Sequence, residues 1–357
     1  MLIAHKKCTP NLIIMKNNIS QKALSLLILI SLIIQLGCKK NDPNPNNTST
    51  IAKVLYFTDS KIMVVNADGS NAHAINITLP DHVILDQSSP RISPDGSTVF
   101  FNAHKTDNNN ITISHDIYSY KISSGATNLV ASSNSNQTTN NICSVYTEQQ
   151  QTKVLYTQAI NGGQVNIKAF IANADGTNVN PINIVFPSNV QLNSNVVRAS
   201  ADGKSIYFTG QSFYIPVTNP TPTLYMANID GTNVKQITTT NFAFISGDYL
   251  EGALTKIFYI DFVLVAPNNT TIQFYNINTD GTNKQPINIT LPSSVQLSLA
   301  STPVISKDGK VIYFSAIITN SPGNYSSSIY SSNIDGTNPK MVISGNSGSS
   351  LVLGDVF

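Results

Sequence analysis

Few residues in this chain could do acid, base or nucleophilic chemistry, and their spacing is informative. The five His are His5, His73, His82, His104 and His115, so beyond the N-terminal region all of them fall between residues 73 and 115. A catalytic metal needs convergent His and carboxylates, which this bunching does not supply; the His are read as surface residues. No Gly-Xaa-Ser-Xaa-Gly elbow occurs, and no His follows residue 115 to serve a Ser triad. Of three Cys, Cys8 and Cys38 lie near the N-terminus, and Cys143 reads as a buried structural thiol. Trp is absent, which removes a common stacking platform for sugars. No catalytic residue, metal or cofactor is expected.

Charge offers one sharper feature. The only two Arg are Arg91 and Arg198, each four residues before an Asp, at Asp95 and Asp202. At the third equivalent place stands Val304. Asp248 and Asp355 lie 107 residues apart in matching segments, 242–249 and 351–357. Two Arg–Asp bridges between neighbouring strands, or a polar channel mouth binding a small anion, are both compatible with this pattern, because a planar guanidinium pairs well with carboxylates.

A further acidic motif recurs: Asn66-Ala67-Asp68-Gly69-Ser70-Asn71, with copies whose Asp are Asp175, Asp230, Asp280 and Asp335, and a worn copy at Ser123–Asn128. It looks like the start of a calcium loop, but such loops end in a bidentate Glu, which none of the copies has. Asp-Gly between short apolar runs is instead a hairpin signal, since Gly accepts the positive φ such turns require.

The elements that hold these residues are strands. Runs such as Val54-Leu55-Tyr56-Phe57, Val154-Leu155-Tyr156 and Ile257-Phe258-Tyr259 are β-branched or aromatic, and no useful helical period follows residue 40. A longer unit occurs three times: Ile75–Pro80, Ile182–Pro187 and Ile287–Pro292 each lead to a Ser-x-Asp-Gly turn at Asp95, Asp202 and Asp308. Self-similarity at a fixed period predicts a repeat architecture. Each long unit holds two subunits of roughly 50 residues with four short strands, the size of a β-propeller blade. The expected fold is all-β: a six-bladed propeller over 51–357, built from three two-blade repeats. The first unit lacks its innermost strand, and the C-terminal segment 351–357 is expected to supply it, removing a free sheet edge.

Pro90-Arg91-Ile92-Ser93-Pro94-Asp95-Gly96, with Val99-Phe100-Phe101 after it, resembles the repeat of TolB-type propellers, relatives of the WD-repeat class. The resemblance implies six blades and mostly protein-binding or scaffolding roles in the bacterial envelope. The wider family also includes propellers joined to peptidases and lyases acting on acidic sugars.

The N-terminus carries an address. Lys16 and Lys22 precede an apolar core, Ala23–Ile34, and Leu36-Gly37-Cys38 follows. This pattern is a secretory signal and resembles that of bacterial lipoproteins, which implies lipidation at Cys38. Residues 1–37 read as signal peptide, with Met15 a second plausible start, and 38–50 as a flexible tether rich in Asn, Pro and Thr. Removing 1–37 takes four Lys and no acid from the formal +2, so the mature charge is +2 − 4 = −2. Charged residues make up 11%, too few for the basic stripe that nucleic acid requires.

Alternation puts the long connections His104–Ser114, Gly210–Thr221, Leu264–Thr271 and Ile317–Ser327 on one face. Rigidly held loops often carry function, and Phe213, Tyr214 and Tyr325 are candidate anchors there. The chain thus reads as a non-catalytic outer-membrane lipoprotein, exported and anchored by lipid, that binds or scaffolds an envelope protein partner. A sugar-acid lyase or hydrolase, or a glycan-binding lipoprotein, are the alternatives.

Overall fold

The computed structural model describes residues 52–160, 166–188, 190–212, 223–240, 244–266 and 269–357. Among these there are 26 strands and no helix. In chain order they are β1 (Lys53–Thr58), β2 (Lys61–Asn66), β3 (His73–Ala74), β4 (Val83–Leu85), β5 (Arg91–Ile92), β6 (Thr98–Thr106), β7 (Thr112–Lys121) and β8 (Ala126–Ala131). There follow β9 (Thr138–Glu148), β10 (Gln151–Ile160), β11 (Asn166–Asn173), β12 (Asn180–Ile182), β13 (Val190–Ala199), β14 (Ser205–Ser212), β15 (Thr223–Asn228) and β16 (Lys235–Thr239). The rest are β17 (Phe244–Glu251), β18 (Leu254–Ala266), β19 (Asn269–Asn278), β20 (Gln285–Ile287), β21 (Val295–Leu297), β22 (Val304–Ile305), β23 (Val311–Ser321), β24 (Asn324–Asn333), β25 (Lys340–Ser347) and β26 (Val352–Val356).

The strands pair as antiparallel sheets in a propeller arrangement. The β1 sheet runs β26-β1-β2-β3, so the last strand of the chain pairs with the first. In the β6 sheet, β5-β6-β7-β8, and the β23 sheet, β22-β23-β24-β25, the innermost strand is only two residues long, and β4 or β21 adds a second pairing on the lengthened β6 or β23. The β10 sheet is β9 to β12, the β14 sheet β13 to β16 and the β18 sheet β17 to β20. One parallel bridge, His115↔Thr139, links the β6 and β10 sheets.

Alternating side chains give each sheet two apolar faces, and the hydrophobic clusters lie between sheets. One cluster joins Leu55 and Phe57 of the β1 sheet to Val99 and Phe101 of the β6 sheet. Phe100 and Ile117 pack with Val154 and Tyr156 of the β10 sheet, and Leu155 with Phe208 of the β14 sheet. Tyr207 then meets Ile257 and Tyr259 of the β18 sheet, and Phe258 meets Phe314 of the β23 sheet. Tyr313 closes back on Val54, Tyr56 and Leu353 of the β1 sheet. Large side chains buried this fully contribute roughly 1.5–3 kcal/mol each, so the sheet-to-sheet seams carry most of the stability. The threefold Ile-Asn-Ile motif serves a seam too: Ile77 and Leu79, Ile184 and Phe186, and Ile289 and Leu291 pack on three of these clusters.

The Asp-Gly turns are tight joints. In the Asn-x-Asp-Gly copies the Asp Oδ1 accepts bonds from a Ser or Thr two residues on, as in Thr232 N to Asp230 at 3.0 Å and Thr232 Oγ1 at 2.6 Å. The Gly packs on the backbone of the preceding sheet: a Cβ on Gly281 would sit 2.5 Å from Ile237 O, and one on Gly69 would sit 2.6 Å from Val342 O in β25. The motif is therefore a self-satisfied turn that locks neighbouring sheets together.

Two expectations change. The connections His104–Ser114 and Ile317–Ser327 are not irregular loops: Lys105 pairs with Ser114 and Ile317 with Ser327 in continuous ladders. Leu264–Thr271 is paired likewise, Leu264 with Thr270. β-branched and Ser/Thr residues in these segments favour strand over loop. Residues 213–222 lie outside the described residues.

The second change concerns register. Asp355 pairs with Leu55, whereas Asp248 pairs with Ile257, the counterpart of Val54 after the shared Lys. Each of these inner strands has a bulge just before this point. A one-residue offset flips a strand side chain to the other face, so the two Asp point to opposite neighbours. The true counterparts are Tyr146, Tyr249 and Phe357, each packed on the Gly of the next sheet's Ser-x-Asp-Gly turn, at Gly203, Gly309 and Gly96.

Candidate functional site

The inner strands bring four side chains of three chemical kinds to the axis: Arg91 on β5, Cys143 on β9, Arg198 on β13 and Asp355 on β26. Arg91 and Arg198 are 6% and 5% exposed, so they lie inside the axis rather than at an open mouth. Neither forms the expected bridge to an Asp; no Arg–carboxylate pair within 4.0 Å exists among the described residues. Arg91 Nη1 donates to Gly354 O at 2.6 Å, and Arg198 Nε donates to Ile245 O at 3.2 Å. The carboxylates are held by backbone instead. Asp355 accepts from Ile92 N at 3.3 Å and Val356 N at 3.0 Å, and Asp248 accepts from Ala201 N at 2.8 Å and the Tyr207 hydroxyl at 3.0 Å.

Burial dominates the electrostatics. It lowers the Arg91 guanidinium below its ordinary pKa, with Asp355 opposing. It lowers Arg198 as well, and there the charge of Arg91 adds to the effect. Burial raises Asp355 above the usual carboxylate range, against the pull of Arg91. Asp248 is raised by burial and partly restored by its hydrogen bonds from Ala201 and Tyr207. Taking charges out of water costs several kcal/mol per ion unless they are closely paired, and the axis holds two guanidiniums near one carboxylate. Cys143 is buried, with Sγ 3.5 Å from Asn141 O and 3.7 Å from Thr157 Oγ1.

A cavity of about 240 Å³ opens along the inner strands, lined by Ser88, Ser89, Phe244, Ser301, Thr302 and Val352 among others. Its lining sits one or two residues from the groups above: Ser89 from Arg91, Phe244 from Ile245, Val352 from Gly354. Ser301 Oγ, 2.5 Å from Ser315 Oγ, also accepts from Leu353 N at 3.1 Å. Sequence reasoning missed this serine cluster, because Ser-rich connections carry no pattern that marks them as axial.

Two of the bunched His meet in the fold. His104 and His115 are cross-strand partners with rings 6.3 Å apart, and His104 Nδ1 lies 2.6 Å from Asp86 Oδ1. Among the described residues no group of three or more His, Cys, Asp or Glu is placed to hold a metal. Tyr325 stands on β24 opposite Thr319 and is 53% exposed, remote in the fold from the axial Arg positions near the Ser-x-Asp-Gly turns. Cys38, Phe213 and Tyr214 lie outside the described residues.

The sequence matches no protein-family profile and no curated protein. Solved structures do match. TolB from Acinetobacter baumannii superposes with a TM-score of 0.57 at 15% identity, over 85% of this chain and 67% of that one. A nidogen/laminin complex gives 0.52 at 11% identity, over 85% of this chain and 97% of that one. Oligogalacturonate lyase in complex with manganese gives 0.48 at 12%, over 82% and 74%, too low a score to carry an argument. At these identities the likeness is one of fold: the chain is an all-β propeller with TolB among its structural neighbours.

Proposed function

We propose that residues 51–357 form a six-bladed propeller of three two-blade repeats, and that the protein is a non-catalytic lipoprotein of the bacterial envelope that binds or scaffolds another protein. The blade count draws on the order in which inner strands neighbour one another: β26, β5, β9, β13, β17, β22 and back to β26. The proposed envelope location, at the outer membrane on its periplasmic side or at the cell surface, draws on the signal-like segment and Cys38.

The binding role is carried by one observation. The hairpins β6–β7 and β23–β24 extend past the pairing needed for the blades, and they expose Ile111, Ile113, Ile317 and Tyr325. Exposed apolar residues on rigid ribbons suit a protein partner better than solvent. The runner-up, a lyase or hydrolase of acidic sugars, draws on the two axial guanidiniums, and a glycan-binding role draws on the same groups. Capture of envelope proteins by the immobilised full-length chain, compared with a Phe213/Tyr214/Tyr325→Ala variant, separates these readings. Specific protein capture lost in the variant supports the first. Turnover of polygalacturonate by the purified protein would overturn it.

A further inference from the structure

We infer that the propeller axis is a binding site for one small oxyanion (phosphate, sulfate or a carboxylate) held between the guanidinium groups of Arg91 and Arg198. This is independent of which partner docks on the hairpins.

The geometry is that of an incomplete ion cluster. A guanidinium has five donors. Arg91 spends one on Gly354 O, and its Nε is buried without a protein partner. Arg198 spends Nε on Ile245 O. Buried donors are almost always satisfied, so the open Nε of Arg91 points to a ligand. The backbone bonds orient each fork from opposite sides: Arg91 is tied to β26 and Arg198 to β17, with β9 between their own strands. Asp355 is the one carboxylate near both, and it leaves the cluster one positive charge in excess when ionised. A monoanion neutralises that excess, and the planar forks match the oxygens of phosphate or carboxylate in paired hydrogen bonds.

The cavity beside Ser88, Ser89, Ser301 and Thr302 is close in the chain to the Arg91 end of the cluster, with Ser89 two residues before Arg91 and Val352 two before Gly354, and two residues of extended chain span only about 7 Å. Hydroxyls at its wall can replace water around an entering anion without adding charge.

A simple staple between strands is the competing account. Two buried cations are an expensive way to bond two carbonyl groups, since a neutral amide donor would do the same without the cost of burying charge.

Calorimetric titration of the full-length protein with sodium phosphate, sulfate and acetate, at constant ionic strength set with chloride, tests this. One saturable site per chain is expected. R91Q and R198Q should each weaken it about tenfold or more, as for loss of a charge-assisted hydrogen bond. D355N, which removes the opposing charge and keeps the shape, should tighten it. Preference for phosphate and sulfate over acetate assigns a tetrahedral oxyanion, and the reverse assigns a carboxylate. Absence of saturable binding to the folded wild type overturns the inference, as does unchanged affinity in R91Q and R198Q with native circular dichroism. If those two variants fail to fold, D355N decides: equal or weaker binding overturns it.

Discussion

The last residue of the chain, Phe357, lies on Gly96 in the Ser-x-Asp-Gly turn of the neighbouring sheet: ring Cδ2 sits 3.1 Å from the place a Cβ on Gly96 would take. The same joint recurs as Tyr146 on Gly203 and Tyr249 on Gly309. In each, the turn needs glycine twice over, for a φ near +70° and for the ring above it. Gly96→Ala should cost about 1–2 kcal/mol for the left-handed backbone alone, and more where the ring must move. Phe357→Ala opens the same joint from the other side, and with the ring only partly buried its cost should be about 1–3 kcal/mol, below that of a full core truncation. Chemical denaturation of the two single variants and the double variant checks this. Strictly additive losses would mean that the contact is not a joint at all, since touching residues couple.

Removal of Ser349–Phe357 goes further. It strips β26 from β1 and with it Leu351, Val352 and Leu353, all at most 6% exposed. It leaves a free edge on β1 and an open seam where Tyr56 and Tyr313 meet. The truncated chain should unfold at a much lower temperature and aggregate through the new edge. A melting temperature equal to that of the full chain would sink the closure argument.

How much of this was legible beforehand can be read from these residues. The repeats announced themselves because every blade needs the same turn, and an Asx-type Asp with a following Gly is a local, additive signal. The pairing of the C-terminus with β1 was legible for the same reason: one strand was missing from a counted series. Register was not. The match of Asp248 to Asp355 was off by one because bulges at Ser246 and Gly354 shift the ladder without changing the residue types around them. The sequence marks the two Arg as unusual and leaves them between Asp bridges and an anion site, and the geometry gives each a carbonyl oxygen instead of a bridge. Which carbonyl a guanidinium reaches depends on the distance between blades, which no sequence pattern encodes. The lengthened hairpins read as loops from sequence because a ribbon that outruns its blade has no repeat to mark it, although its residues pair strand to strand.

Stability should depend on pH through two sets of Asp with opposite signs. The turn carboxylates Asp68, Asp175, Asp230, Asp280 and Asp335 are held below their ordinary pKa by Ser or Thr hydrogen bonds. Their contribution is present above about pH 4, the ordinary Asp value, and is lost as pH falls through the lowered values. Asp248 and Asp355 are raised by burial. Their contribution is full below about pH 4 and is lost as pH rises through the raised values. Melting temperature should therefore rise as pH falls through the raised values of Asp248 and Asp355 and then fall below about pH 4. Asp248→Asn should be flatter than wild type on the rising limb. A wild-type profile that falls monotonically from pH 7 would contradict the raised pair.

Cys38→Ser tests the anchor. Attachment through acyl chains depends on that thiol, so the variant should move from the membrane fraction to the soluble one, and incorporation of labelled fatty acid should stop. A variant that remains membrane-bound at full precursor length would make the apolar segment Ala23–Ile34 the anchor instead.

The exposed ribbons give the last prediction. Tyr325 is 53% exposed opposite Thr319, next to the turn at Gly323 that caps β23 and β24, and Ile317 is 37% exposed on the same hairpin. Neither belongs to an inter-sheet cluster, so Tyr325→Ala should leave the melting temperature within about 0.5 kcal/mol equivalent of wild type. Aromatic residues often dominate interface energetics, where one truncation can cost about 2 kcal/mol or more. If the hairpin face receives the partner, Tyr325→Ala should weaken capture by roughly thirtyfold while Thr232→Ala, on the opposite turn face, weakens it little. Thr232 sits in a turn whose hydrogen bonds serve only the fold, which makes it a fair control for surface change. Binding that survives at Tyr325 and fails at Thr232 would move the docking face to the other end of the propeller.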